Sequence, residues 1–161
     1  MKKPILLNII ISLSIISLVI LLDCLSKRWV INNLSLFEEK IITSMLNIVH
    51  IQNYGLAFGI FSEINQENKY FSYLINIITI VIILKIICYI LKNPNYYNIP
   101  YTLIISGAIG NLIDRLYFGF VIDFIDVHFK NWHFAVFNIA DISIFFGSIL
   151  IIYIHTFMKE I

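Results

Sequence analysis

Residues 4–22 read PILLNIIISLSIISLVILL, an uncharged run preceded by Lys2-Lys3 and closed by Asp23. A helix needs about 20 apolar residues to cross a bilayer, so the run predicts a membrane span, and outward from it the pattern repeats. Tyr70 to Leu91 is broken only by Lys85, whose long stem carries its ammonium toward the interface near a helix end. Tyr101 to about Ile122 is interrupted late by Asp114 and Arg115, and Phe134 to about Met158 contains Asp141 one to two turns after its start. Pro94 and Pro100 punctuate the polar connector that begins Lys92-Asn93-Pro94-Asn95. The expected architecture is a membrane α-helical fold, a bundle of four transmembrane helices spanning about 4–22, 70–91, 101–122 and 134–158, within a single domain covering 1–161. Four spans put both termini on one side of the membrane.

Composition agrees. Of 161 residues, 60% are hydrophobic and only 13% charged, with a mean hydropathy of +0.89. Soluble domains run about 45–50% apolar and about 25% charged. No second soluble domain fits in the length. The formal net charge is +1, and no Lys/Arg cluster exceeds the pairs Lys2-Lys3 and Lys27-Arg28, which argues against a nucleic-acid partner. Cys24 and Cys88 are too few for a thiolate metal site. They also fall near opposite faces of the membrane, so no disulfide is expected.

The N-terminal run has a competing reading. A basic start, an apolar run and Leu21-Leu22-Asp23-Cys24 resemble a secretory or lipoprotein leader. Cleavage sites want small residues before the cut, however, and here Asp23 precedes Cys24 with no A-x-A pattern, so a retained helix is expected. Loop charges do not fix the orientation. Lys2, Lys3, Lys85, Lys92 and Lys159 lie on the terminus side, and Lys27, Arg28, Lys40, Lys69 and Lys130 on the other. The Lys2-Lys3 pair beside the first helix favours cytoplasmic termini.

Between the first two spans, Asp23 to Lys69 is too long for a simple connector. Lys40 to Gln52 is rich in Ile and Val and partly alternates, with Leu46, Ile48 and His50 on one parity and Val49 and Ile51 on the other, which reads as strand. Asn53-Tyr54-Gly55 supplies turn chemistry, and Leu56 to Phe61 is a further short apolar segment. A small β-sheet cradle over about 24–69, lying on or in the membrane surface, is expected.

The carboxylates carry the chemistry. Glu38, Glu39, Glu63, Glu67 and Glu160 fall in loops or the tail, whereas Asp23, Asp114, Asp123, Asp126 and Asp141 sit inside or at the edge of apolar segments. An Asp at a membrane helix centre costs about 2.5–3.5 kcal/mol and faces a bundle interior or a water-filled site. Alternating span direction brings Asp23, Asp114, Asp123 and Asp141 to the face opposite the termini. Asp23 with Lys27, and Asp114 beside Arg115, read as ion pairs tying helix ends. Asp123 and Asp141 have no cation at helical spacing, and the connection between the third and fourth runs lets them face each other. Two facing carboxylates share one proton, so one serves as base on a water while the other polarises a carbonyl. Paired membrane aspartates also serve proton relays in transporters, so a small proton-linked transporter is the alternative. A non-enzymatic assembly factor, its aspartates only locking helices, is a third.

Other chemistries fit less well. His50, His128, His133 and His155 form no H-E-x-x-H pattern, no serine sits in G-x-S-x-G, and Gly107 to Gly110 is a G-x-x-G inside a membrane helix, where small residues allow close packing. Tyr117, His128, Trp132 and His133 read as interfacial side chains.

Five blocks, in order, carry a family resemblance: Asp23-Cys24-Leu25-Ser26-Lys27; Asn53-Tyr54-Gly55-Leu56-Ala57-Phe58-Gly59; Gly107-Ala108-Ile109-Gly110-Asn111-Leu112-Ile113-Asp114-Arg115; Val121-Ile122-Asp123-Phe124-Ile125-Asp126; and Phe137-Asn138-Ile139-Ala140-Asp141. Together they resemble the bacterial lipoprotein signal peptidases (signal peptidase II), from the first helix to the last. The resemblance implies an intramembrane aspartic endopeptidase that removes the signal peptide of a prolipoprotein, cutting before the cysteine that carries a diacylglyceryl group. It places Asp123 and Asp141 at the catalytic positions, has Asn53, Asn111, Arg115 and Asn138 line the site, and puts Asp23, Lys27 and Gly55 at supporting motif positions. It further implies an extracytoplasmic sheet, cytoplasmic termini, and a site near the outer face of the bacterial plasma (inner) membrane. No metal or cofactor is expected, and the partners expected are prolipoprotein substrates and membrane lipid, with the chain acting as a monomer. Cys24, Leu56 and Ser106 depart from the family's common Gln, Ala and Gly. Leu56 would narrow the cradle and Cys24 removes an amide, so the departures bear on substrate preference rather than on the reaction.

Overall fold

The computed structural model describes residues 3–55, 69–93 and 98–158. Its elements in chain order are α1 (Lys3–Asn33), β1 (Glu39–Thr43), β2 (Leu46–Asn53), α2 (Lys69–Lys92), α3 (Ile99–Tyr117), β3 (Val121–Phe129), β4 (Trp132–His133) and α4 (Ile139–Phe157). Three helices are long and apolar enough to cross a membrane, Leu6–Asn33, Tyr70–Lys92 and Ile139–Phe157. Leu6, Leu13, Leu18 and Leu21 on α1, and Leu74, Ile78 and Ile82 on α2, are exposed, as side chains solvated by lipid should be. Helix α3 differs. It buries Thr102, Ser106, Asn111 and Asp114, and it packs against α1, α2 and α4.

Small residues let α3 approach its neighbours. A Cβ on Gly107 would collide with the Ala140 carbonyl oxygen, and one on Gly110 would lie 2.8 Å from Asp23 Oδ2. The first contact is backbone against backbone, so the G-x-x-G does serve packing, bringing α3 onto the start of α4.

The sheet is four-stranded and antiparallel in the order β1-β2-β3-β4. Lys40 to Gln52, expected as one strand, is a hairpin: Glu39 pairs with Val49 and Thr43 with Leu46. Strand β2 continues the sheet onto β3, setting Ile51 opposite Asp123 and Asn53 opposite Val121. The Asn53-Tyr54-Gly55 turn forms, with the Gly55 amide donating to Asn53 Oδ1 at 2.8 Å. The apolar segment expected over Leu56 to Phe61 lies outside the described residues.

Three boundaries move. Helix α1 runs through Asp23 to Asn33, because the charged Lys27 is neutralised inside the bundle rather than ending the helix, so the cradle begins after it. Helix α3 stops at Tyr117: Phe118 and Gly119 donate back to the carbonyls of Asp114 and Arg115, and Gly119 takes the left-handed conformation (φ +86°) that favours glycine. Val121 to Phe129 is therefore strand, and Asp123 sits on a sheet rather than at a helix end. Finally, α4 starts at Ile139, after Trp132-His133 closes against β3.

Val30 and Leu34 at the end of α1 pack against Ile122 and Phe124 of β3, with Ile48, Phe120, Ile125 and Ile139 around them, and this core fastens the sheet to the bundle. Gly107→Ala should lower the thermal midpoint of the detergent-purified protein by an amount equivalent to about 1–3 kcal/mol of overpacking, read by thermal unfolding. An unchanged midpoint would mean that α3 and α4 are not in backbone contact there.

Candidate active site

Helix α4 begins with a reciprocal cap. Asn138 is the N-cap, its Oδ1 accepting from the Asp141 amide at 2.9 Å, while its own amide donates to Asp141 Oδ2 at 3.3 Å. Asp141 thus fills the third helical position, where a Glu or Gln is usual, and gains from the positive end of the helix dipole. Because Asn138 Oδ1 faces a group that only donates, its Nδ2 must face outward as a donor. It reaches Asp123 Oδ1 at 2.6 Å and Asn111 Oδ1 at 3.2 Å.

The same logic fixes the other amides. Asn111 Oδ1 accepts from the Lys27 ammonium at 3.1 Å, so Asn111 Nδ2 turns to Asp141 Oδ1 at 2.8 Å. Asn53 Oδ1 accepts from the Gly55 amide, so its Nδ2 donates to Asp123 Oδ2 at 2.8 Å. Each oxygen of Asp123 and of Asp141 therefore accepts from an N–H of fixed direction. Both carboxylates are buried, at 2% and 4% exposure. Burial first, and the neighbouring Asp141 charge second, push the Asp123 carboxyl up to about 7, against the Asn53 and Asn138 amides and the Lys27 charge that pull it down.

Beneath the pair lies a buried ion cluster. Lys27 Nζ meets Asp23 Oδ2 at 2.6 Å and Asp114 Oδ2 at 2.9 Å. With Asn111 as third acceptor, all three ammonium protons are used. Asp23 Oδ1 accepts from the Ala140 amide at 2.9 Å, and Asp114 Oδ2 also accepts from the Ile122 amide at 3.1 Å. The cluster thus ties α1 and α3 to the residues preceding Asp141 and Asp123.

The expected Asp23–Lys27 pair forms. The expected Asp114–Arg115 pair does not, because successive residues on a helix point apart. Asp114 faces α1, and Arg115 donates from Nη2 to the Gly55 carbonyl at 2.8 Å, holding the β2 turn. Asn53, Asn111, Asn138, Asp123 and Asp141 come together as expected, with Lys27 and Gly55 one bond removed. Asp126 does not join them. It bonds the His133 ring at 3.0 Å and Asn47 at 3.2 Å, while His128 and His133 stack at 4.9 Å. The role of Asp114 as anchor for both Lys27 and β3 was not readable from sequence. Its only signal was a carboxylate in an apolar segment.

The model of the family described as signal peptidase (SPase) II matches residues 15–157. The chain belongs to the signal peptidase II family. A lipoprotein signal peptidase of Buchnera aphidicola subsp. Baizongia pistaciae is 54% identical over 155 residues, covering 95% of each chain. The lipoprotein signal peptidase of Pasteurella multocida is 43% identical over 136 residues, covering 82% of this chain and 80% of its own. A bacterial membrane enzyme solved by the in meso method at 2.3 Å matches the fold with a TM-score of 0.77 and 33% identity, covering 92% of this chain and 88% of its own. A signal peptidase II is a hydrolase, and the aspartic class agrees with a paired-carboxylate site. The transporter reading finds no support among these relatives.

Lys27→Met should destabilise the protein by about 3–5 kcal/mol, since it strands two buried carboxylates. The loss should show as a lowered thermal midpoint that Lys27→Met with Asp114→Asn partly restores. A single variant as stable as wild type would mean that the cluster is not buried.

Proposed function

We propose that this chain cuts prolipoproteins before their diacylglyceryl cysteine, with Asp123 and Asp141 as the catalytic pair. The observation that supports this reading best is the set of amides that fixes both carboxylates side by side. Such a pair keeps one proton between them near neutral pH, as Asp123 does with a carboxyl that titrates at about 7. Asp123 is the acid and Asp141 the base. Asp141 takes a proton from a water whose oxygen attacks the scissile carbonyl carbon, while Asp123 gives its proton to the carbonyl oxygen. The tetrahedral intermediate then loses its C–N bond as Asp141 returns the proton to the leaving amine and Asp123 recovers its own from the hydroxyl.

Asn53, Asn111 and Asn138 hold the pair, and Arg115 with Gly55 holds the turn over it. Asp23 and Lys27 support the site from below. Helix α3 is the fourth crossing beside the three more apolar helices. The termini are cytoplasmic, the sheet lies at the extracytoplasmic face of the bacterial inner membrane, and the chain works as a monomer. Substrates held in the bilayer by their own acyl chains reach such a site sideways, and their binding supplies part of the rate by proximity.

Purified protein should release the leader from a diacylglyceryl-modified prolipoprotein, with cleavage lost in both Asp123→Asn and Asp141→Asn while both variants stay folded, their thermal midpoints lowered because one N–H of the frame then faces an amide NH2. Retained cleavage in either variant would remove that residue from the chemistry.

Cleavage should be bell-shaped in pH, falling as pH rises through about 7, where Asp123 ionises, and falling again in acid as Asp141 protonates. Stability carries the same sign. The folded carboxyl of Asp123 lies above its ordinary 3.8, so its contribution is full below 3.8 and lost as pH rises to about 7. The stability gain on acidification across that window should be smaller in Asp123→Asn, measured by thermal unfolding; equal pH slopes would contradict the burial of a titrating carboxyl.

A further inference from the structure

The surroundings of the carboxylate pair differ in chemistry. Bonded to it or to its amides are the polar groups of the β2 turn, with the Arg115 guanidinium and the asparagine side chains. Against Asp141, by contrast, Phe134, Phe137, Ile142, Phe145 and Phe146 complete a groove of about 320 Å³ whose accessible wall is apolar throughout. Asp141 contributes only carbon to that wall, since its oxygens turn away to Asn111 and to the Asn138 amide. Phe145 and Phe146 are half exposed on the outer face of α4, so the groove is continuous with the surface that faces lipid. Edge-to-face contact of Phe134 and Phe137, with ring centres 6.0 Å apart, carries the apolar wall from α4 up to the sheet hairpin.

Resting on the peptidase reading above, we infer that this aromatic groove receives an acyl chain of the lipidated cysteine and so sets the direction in which the substrate crosses the pair. An extended peptide would bring backbone N–H and C=O groups that none of the described groove residues offers a partner to, and unpaired polar groups are costly to bury. A hydrocarbon chain brings none. The acyl chains hang from the cysteine whose nitrogen is the leaving amine, so seating a chain beside Asp141 delivers that amine on the Asp141 side. Asp141, having taken the proton of the attacking water, is then the group placed to hand it on. The leader runs away over Asp123 and β2. Ile142 and Phe146 become the residues that set chain-length preference.

The test compares a long-chain and a short-chain diacylglyceryl prolipoprotein as substrates of wild type, Ile142→Trp, which fills the groove, and Phe146→Ala, which widens it. Ile142→Trp should lower the long-to-short ratio of kcat/KM by about tenfold or more, on the scale by which apolar pockets discriminate. Phe146→Ala should shift the preference the other way, toward bulkier chains. Equal losses on both substrates, or a long-to-short ratio unchanged in both variants, would overturn the inference. A wild type that cleaves neither substrate would sink the peptidase reading itself, and this inference with it.

Discussion

One side-chain amide holds the site together. Asn138 caps α4, accepts the Asp141 amide, and donates to Asp123 on β3 and to Asn111 on α3. Replacing it with an apolar residue would unpin the helix start and remove a donor from a buried carboxylate at once, two losses that elsewhere are separate. The N-cap geometry decides the rest: with Oδ1 committed to the helix, Nδ2 has to face the strand. This explains why an aspartate on a sheet and an aspartate in a helix can meet without a connecting salt bridge.

The four buried carboxylates around the site, Asp23, Asp114, Asp123 and Asp141, need compensation, and two devices supply it. Asp23 and Asp114 share the Lys27 ammonium, so their charge is largely cancelled where it sits. Among the described residues, Asp123 and Asp141 have amides rather than a contacting cation, which leaves their charge only partly offset. Burial then favours a proton on the pair, pushing the Asp123 carboxyl up from its ordinary range. The division has a physical consequence: ion pairs lock the helices, while neutral amides leave two neighbouring acids whose charge is not cancelled. The glycines of α3 make this possible by letting the Asp23 carboxylate and the start of α4 come within backbone distance.

Much of this was legible in the chain. Apolar runs gave the helices, and aspartates stranded in them marked the pair. The β-branched stretch after Lys40 gave a sheet. What stayed hidden has physical causes. Hydropathy does not drop at Phe118-Gly119-Phe120, so helix and strand merge into one apolar run, and only a glycine marks the break. Strand β3 is buried along most of its length and lacks the alternation that reveals a half-exposed strand. In sequence the first span closes at Asp23, since a charge usually ends an apolar run; the second acid of Lys27, Asp114, is distant in sequence and can be found only by folding. The partner of Arg115 is a backbone carbonyl, which no sequence pattern announces.

The central claim is that the amide frame makes Asp123 and Asp141 hold one proton between them, and infrared titration of the purified protein in detergent reads this most directly. The account predicts a protonated-carboxyl C=O band at neutral pH that fades as pH rises through about 7 and disappears in Asp123→Asn. A spectrum in which that variant changes no protonated-carboxyl band at neutral pH, both acids titrating near their ordinary value, would contradict it.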